Sequence, residues 1–394
     1  MMNLSEKIKT VTPSYTIGIS TKVKAMKAEG KAIIDLSIGE PDFMTPENAK
    51  SEGIDAIKRN ESKYDMVQGL MSLRKAIVKK LKDENQAEYS ENEIVVSSGA
   101  KHAITNTLLT TLNPGDEVIV PKPYWTSYPE MIKLCGGTPV LVDTRIENQF
   151  KLTLDELKAA FTEKTKMLLI NNPSNPTGAV YSREELIPLV NFCIDKDLYI
   201  LADEIYERIC YTDNFTSIGS LSEKAKEHAI IINGLSKSVA MTGWRIGYTA
   251  SNPEVAKAIS MIQGHLVSHP SMISQWAGAS ALSNCQPDIE NMVAAYKNRR
   301  DLLVSQLSQI KDITFIQPDG AFYLFIDLTK YKSKCPYEGS FSMKVCDDLL
   351  MQSGLAVVPG IAFGNDNCIR LSYATEIGLV QEGLRRIETY LMSL

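Results

Sequence analysis

Long apolar runs are missing from this chain. No stretch approaches the roughly 18 residues that would cross a bilayer, and Met1 to Thr10 lacks the apolar centre of a secretory signal. Runs of like charge are missing too. The formal net charge of −5 comes from interspersed acids and bases, which argues against nucleic acid or a membrane surface as partner. There is no Cys-x-x-Cys pair, and the 7 cysteines (Cys135, Cys193, Cys210, Cys285, Cys335, Cys346, Cys368) are scattered and odd in number. A disulfide framework is therefore not expected, and a reducing cytoplasm is. The 4 histidines include no His-Glu-x-x-His, so a zinc hydrolase has little support. His265 and His269 are spaced to share one helix face, but no carboxylate partners them and no metal site is expected. No internal repeat, low-complexity tract or helix-turn-helix module is visible.

What is present is ample material for two domains: 394 residues, 44% of them hydrophobic. From about residue 90 to 250, short β-rich runs alternate with longer helix-like segments. The runs are Ile94-Val-Val, Val118-Ile-Val, Met167-Leu-Leu-Ile, Leu198-Tyr-Ile-Leu-Ala, Ile230-Ile-Ile and Ile246-Gly-Tyr. That rhythm predicts an α/β fold with a mostly parallel sheet wrapped by helices. Ser182 with Glu185 reads as a capping box, and Thr153 also has an acid three residues on. Turns are expected at Asn113-Pro-Gly-Asp, Cys135-Gly-Gly and Asn252-Pro. Beyond about residue 290 a long charged helix and strands near Phe322 and Ile369 suggest a smaller α+β domain, with the segment around Ile33 packed against it. The expected division is an N-terminal arm and part of the small domain over 1–45, a large domain over 46–289 and the C-terminal small domain over 290–394.

In open α/β sheets ligands collect outside the carboxyl ends of the strands, so polar residues that follow apolar runs carry the most information. Lys237 ends one such stretch and reads as a strand-end amine, with Arg245 eight positions on. A buried lysine escapes its desolvation cost by losing its proton and becoming a nucleophile; the plainer alternative is a lysine that snorkels to the surface. After Ile94-Val-Val comes Ser97-Ser-Gly-Ala-Lys, small residues entering a helix, where backbone N–H groups suit a phosphate. Alone that signal is weak. After Met167-Leu-Leu-Ile comes Asn171-Asn-Pro-Ser-Asn-Pro-Thr-Gly178, which a rigid turn explains except for Asn175, whose amide can donate to a phenolate oxygen. After Leu198-Tyr-Ile-Leu-Ala comes Asp203-Glu-Ile-Tyr206, where Asp203 either caps a helix or holds a protonated ring nitrogen. Trp125 could cover a ring face or simply pack in the core.

Together these segments match the needs of pyridoxal 5'-phosphate. Lys237 would meet its aldehyde, Asp203 its ring nitrogen, Asn175 and Tyr206 its ring hydroxyl, and Arg245, Gly99 and Ala100 its phosphate.

The motifs Asn-Pro-x-Asn-Pro-Thr-Gly, Asp-Glu-Ile-Tyr, Ser-Lys-Ser-x-Ala-Met-Thr-Gly-Trp-Arg-Ile-Gly-Tyr, Val357-Val-Pro-Gly and Ile369-Arg-Leu-Ser-Tyr resemble the class I aminotransferases of fold type I. The likeness runs from Pro13-Ser-Tyr-Thr to the C-terminus and is nearest the bacterial aspartate aminotransferase branch. It implies a large domain with a mostly parallel mixed sheet sandwiched by helices, plus a smaller α+β domain. It also implies Lys237 as Schiff-base lysine and proton shuttle, Arg370 as the clamp on the substrate α-carboxylate, Gly39 as a backbone contact to that carboxylate, and Trp125 and Asn175 beside the substrate. Tyr64 resembles the tyrosine that reaches the neighbouring subunit's phosphate, so a homodimer is expected. Lys101 is expected to receive the distal carboxylate of a dicarboxylic substrate; a solvated lysine at a helix start is the alternative, though it would sit badly with the helix dipole.

Three positions depart from the pattern. Thr12 stands where relatives that also use prephenate carry a basic residue, Gly234 stands where many carry a phosphate-binding serine, leaving Ser236 or Ser238, and Tyr64 is followed by Asp-Met-Val-Gln. The resemblance implies transfer of an amino group from aspartate to 2-oxoglutarate, with an aminotransferase for aromatic or neutral amino acids, or a lyase on the same cofactor, as the alternatives.

Overall fold

The computed structural model describes residues 4–13, 15–336 and 338–394. Residues 1–3, Ser14 and Tyr337 lie outside the described residues, and with them the start of the arm expected over 1–45 and the serine of the Pro13 stretch.

Among the described residues thirteen strands form three sheets. In chain order they are β1 (Ile34–Asp35), β2 (Ile94–Ser97), β3 (Glu117–Lys122), β4 (Thr138–Asp143), β5 (Thr165–Asn171), β6 (Tyr199–Asp203), β7 (Ala229–Gly234), β8 (Gly247–Ala250), β9 (Thr314–Phe315), β10 (Tyr323–Asp327), β11 (Leu355–Ala356), β12 (Val358–Pro359) and β13 (Cys368–Ser372). The main sheet has the order β2-β8-β7-β6-β5-β3-β4. Only β8 runs against its neighbours β7 and β2; the other pairs are parallel. Buried on both faces, these strands need apolar residues at successive positions. Ile94 and Val96 enter one core cluster while Val95 enters another across the sheet, and Ile231 is likewise split from Ile230 and Ile232. The α/β architecture expected from the sequence is the one found.

Several local expectations change. β4 is not among the apolar runs because it is an edge strand, only partly buried. Lys237 is not on β7, which ends at Gly234, but on the single helical turn Leu235–Ser238 that follows. Asp203 ends β6 with no helix directly after it; its Oδ1 accepts from Ile205 N at 3.3 Å instead. Asn252 is less a turn than a cap, accepting from Val255 N at 2.9 Å to start the helix Pro253–Leu266. That helix ends before His269, so His265 and His269 share no helix face, and among the described residues no cluster of metal-ligating side chains forms. Ser182 and Thr153 both complete capping boxes.

The second unit is the antiparallel sheet β12-β13-β10-β9. The N-terminal segment joins it: β1 pairs with β11, Leu36 N donates to Ala356 O, and Ser372 N donates to Leu36 O. This fixes Ser37 to Gly39 beside β13. The helix Gln286–Leu307 serves both cores, with Ile289 in that of the main sheet and Met292, Tyr296 and Leu303 in that of the second. Residue 290, where a domain boundary was expected, therefore lies inside one continuous helix.

Candidate active site

Because β8 alone is reversed, the carboxyl ends of β2, β3, β5, β6 and β7 share an edge with the start of β8. A cavity of about 370 Å³ opens there, closed from the other side by Ser37 to Glu40 and by Tyr323 and Arg370 of the second sheet.

On its walls stand Ala100, Lys101, Trp125, Asn175, Asp203, Tyr206, Ser236, Lys237, Arg245, Gly39 and Arg370, all expected from the sequence. Two expected residues lie off the walls. Gly99 sits behind Arg245, and Tyr64 is 90% exposed, edge-on to His269 with ring centroids 5.8 Å apart.

Lys237 Nζ donates to Gly39 O at 2.6 Å. Burial lowers its pKa to about 8, the Glu40 carboxylate pulling it back up and Arg245 and Arg370 adding to the lowering. Near neutral pH a usable fraction of this amine is therefore unprotonated. Asp203 lies across the cavity with Oδ2 accepting from the Tyr128 hydroxyl at 2.5 Å. Burial pushes its carboxyl up to about 6, against the Tyr128 bond and the Lys237 charge. The neighbouring Glu204 turns the other way, to Ser217 Oγ and Ile218 N.

Arg370 is buried, and among the described residues no acid pairs with it. Nη1 donates to Asn175 Oδ1 at 3.2 Å and Nη2 to Ser37 O at 2.8 Å, while Nε has no partner among those residues. Its guanidinium carbon lies 4.5 Å from the Tyr323 ring centroid and 5.0 Å from that of Phe363. A buried cation against two rings, with one N–H unpaired, has the chemistry to hold an anion.

Gly99 explains how Arg245 comes so close to the backbone. Its φ is +84°, and an added Cβ would lie 2.4 Å from Arg245 Nη2. Gly247 is as tightly held, since its Cβ would lie 2.3 Å from Ala100 N. At Gly234 a Cβ would lie 2.7 Å from Ile246 O, so no serine fits there. Of the two substitutes, Ser236 faces the cavity, whereas the Ser238 hydroxyl donates to Gly234 O at 3.3 Å. Lys101 Nζ sits 4.9 Å from the Trp125 ring centroid, and burial, then the Arg245 charge, lowers its pKa. Trp125 also packs edge-on against Tyr128 with ring centroids 5.2 Å apart, the packing reading, while its indole lines the cavity.

Sequence reasoning missed Tyr128, Glu40, Ser37 and Tyr323. Tyr128 closes the aromatic run that begins at Tyr124, and Glu40 adjoins Gly39; these were the available signals. Ser37 acts through its carbonyl, which no side-chain pattern reveals.

The lowered pKa of Lys237 has a measurable consequence for the cofactor-free chain. Below pH about 8 the amine is charged in both folded and unfolded states, and the folded state bears the burial cost; above the ordinary lysine value of 10.5 it is neutral in both. Folded stability thus rises with pH between those values. Lys237→Met should stabilise the cofactor-free chain by about 1–3 kcal/mol at pH 7, and the gain should fade between pH 8 and 10.5. Urea unfolding across that range reads both; a gain independent of pH would contradict the buried-charge account.

Amine chemistry on a small carboxylate is what this edge of the sheet can perform, with a deprotonatable lysine, a buried acid and a buried guanidinium on the walls of one cavity. The family model for aminotransferase class I and II matches residues 31–387. The chain is 42% identical over 389 residues to a protein of Bacillus sp. (strain YM-2) named aspartate aminotransferase, covering 98% of each. It is 42% identical to one of Rhizobium leguminosarum bv. phaseoli named probable aspartate/prephenate aminotransferase, covering 99% of each. The aspartate aminotransferase from Thermus thermophilus solved with maleate superposes with a TM-score of 0.93 at 37% identity, over 99% of this chain and 100% of that one. The chain belongs to the class I and II aminotransferases and has their fold type I architecture.

Proposed function

We propose that the protein is a pyridoxal-phosphate-dependent aspartate aminotransferase, moving the amino group of L-aspartate to 2-oxoglutarate to give oxaloacetate and L-glutamate. One observation carries the reading: Lys237, Asp203 and the acid-free Arg370 line the same cavity. A relative 42% identical bears the name aspartate aminotransferase, and maleate, bound to the Thermus protein, is itself a dicarboxylate.

The residues present fit the cofactor. Gly99 and Gly247 leave no room for side chains beside Arg245 and Ala100, which makes a cradle for a phosphate from backbone N–H, guanidinium and the Ser236 hydroxyl. When bound, pyridoxal phosphate supplies an aldehyde that takes up a primary amine and a ring that draws electrons from the amino acid Cα. Asp203, held by Tyr128, offers its carboxylate to a ring N–H. Asn175 and Tyr206 donate to an anionic ring oxygen. Lys237 Nζ, once unprotonated, is the base that takes the proton from the substrate Cα and returns it elsewhere. Arg370 exchanges its amide and carbonyl partners for the substrate α-carboxylate, gaining two parallel charge-assisted bonds.

Lys101 is the proposed partner of the distal carboxylate. A flexible ammonium over an aromatic face can meet both a four-carbon and a five-carbon acid. Lys101→Ala should lower kcat/KM for aspartate and glutamate by about 10–100-fold, one charge-assisted bond, and leave alanine and phenylalanine within about threefold. A panel of amino donors assayed with 2-oxoglutarate tests both the reaction and the selectivity; equal losses across the panel would remove Lys101 from the substrate wall. Thr12, whose backbone N donates to Glu130 Oε2 at 2.8 Å, carries no basic side chain where prephenate-using relatives have one. That supports aspartate as donor without prephenate.

The exposed Tyr64, together with exposed Ile54, Ile57, Met66 and Met261, supports a homodimer in which Tyr64 serves the partner's phosphate site. Seven free thiols support a cytoplasmic setting. Among the described residues no helix is long and apolar enough to cross a membrane. The proposed domain division stays at 1–45, 46–289 and 290–394, with the helix Gln286–Leu307 as the shared spine.

A further inference from the structure

Tyr323 lies beneath three groups of the site at once. It stands on β10 opposite Ser372, which places it diagonal to Arg370 on the same face of the pair β10–β13. Its hydroxyl is 2.8 Å from the Tyr206 hydroxyl, and an added Cβ on Gly39 would lie 3.0 Å from it. Its ring carries the Arg370 guanidinium at 4.5 Å and meets the Tyr206 ring edge-on at 5.8 Å. It is 1% exposed.

Each phenol has one proton. If Tyr206 gives its proton to Tyr323, none is left for an oxyanion in the cavity. If Tyr206 donates into the cavity, its own oxygen becomes the acceptor for Tyr323, and a bond received at that oxygen strengthens the bond Tyr206 gives. No other hydrogen-bond partner of the Tyr206 hydroxyl is seen among the described residues. Tyr206 follows β6 of the main sheet and Arg370 lies on β13 of the second, so one residue touches the donor to the cofactor and the clamp on the substrate.

We propose that Tyr323 is a positioning residue for both halves of the site: its hydroxyl aims the Tyr206 proton at the cofactor's ring oxygen, and its ring seats the Arg370 guanidinium. The proposal rests on the roles assigned above to Tyr206 and Arg370. The two functions separate by substitution, because Tyr323→Phe removes only the hydroxyl and Tyr323→Leu removes the ring as well.

The test compares the parent holoenzyme with Tyr323→Phe, Tyr323→Leu and Tyr206→Phe, following the pH midpoint of the bound cofactor's visible absorbance and the KM for aspartate. A weaker donor leaves the ring oxygen more basic, so the midpoint should move upward by about half a pH unit in Tyr323→Phe and further in Tyr206→Phe. KM should stay unchanged in Tyr323→Phe and rise by about 3–30-fold in Tyr323→Leu as the cation–π contact is lost. A purely structural tyrosine would alter the melting temperature and leave the midpoint in place. If Tyr206→Phe shifts the midpoint and Tyr323→Phe does not, the positioning role is overturned while the cofactor reading stands. If neither shifts it, Tyr206 is not the oxygen's donor and both fall. An unchanged KM in Tyr323→Leu overturns the seating of Arg370.

Discussion

Lys237→Ala should slow transfer from aspartate to 2-oxoglutarate by about four orders of magnitude or more while the chain stays folded. The side chain is both the amine offered to the cofactor's aldehyde and the base for the Cα proton, so its loss removes two contributions that act as a unit. Among the described residues the other lysine on the cavity walls is Lys101, which rises from a different strand-to-helix turn beside Trp125 and should not replace it. Folding should survive, since the flanking Leu235 and Val239 make the core contacts of that turn and Lys237 itself contributes one bond to the Gly39 carbonyl. A coupled oxaloacetate assay reads the rate and urea unfolding reads the fold. Borohydride treatment followed by peptide mass analysis should find the cofactor on the Lys237 peptide of the parent and on no peptide of the variant. Parent-like turnover, or cofactor attached at another lysine, would end the assignment.

What the sequence made legible was the set of groups that sit just after apolar runs. Asp203 ends a main-sheet strand and Asn175, Tyr206 and Lys237 each follow one within a few positions, and a parallel sheet brings such positions to one edge by topology alone. Gly39 and Arg370 needed the family motifs, because nothing local says that β1 will run beside β11 and carry Ser37 to the guanidinium. The groups that stayed hidden are those joined by packing between distant segments. Tyr128 meets Asp203 from 75 positions away and Tyr206 meets Tyr323 from 117, and in each case the partner is a tyrosine that an ordinary core position would also carry. The same holds for the edge strand β4, which lacks a continuous buried run, and for Lys237, whose preceding strand stops three residues early. There Gly234 and Gly247 come too close for side chains, and the chain turns at once into the helical loop that presents the amine.

Arg370→Ala carries the other large expected effect. Two charge-assisted hydrogen bonds at about 1.5–3 kcal/mol each convert to a loss of about 10²–10⁴ in kcat/KM. The loss should fall on alanine and aspartate alike, since the α-carboxylate is common to both; this separates the clamp from Lys101, whose removal should spare alanine. Arg370→Lys should recover only part of the loss, because an ammonium lacks the planar fork and cannot lie flat between Tyr323 and Phe363. Stability should move differently. A guanidinium buried against one amide oxygen and one carbonyl, with Nε unpaired and no acid beside it, costs the fold free energy, so its removal offsets part of the cavity it leaves. The anion that would balance this charge comes with the substrate. Maleate should therefore raise the melting temperature of the parent in proportion to the logarithm of its concentration above Kd and have no such effect on Arg370→Ala. A variant that loses activity yet is still stabilised by maleate would place the carboxylate elsewhere, and the buried guanidinium would then need another purpose.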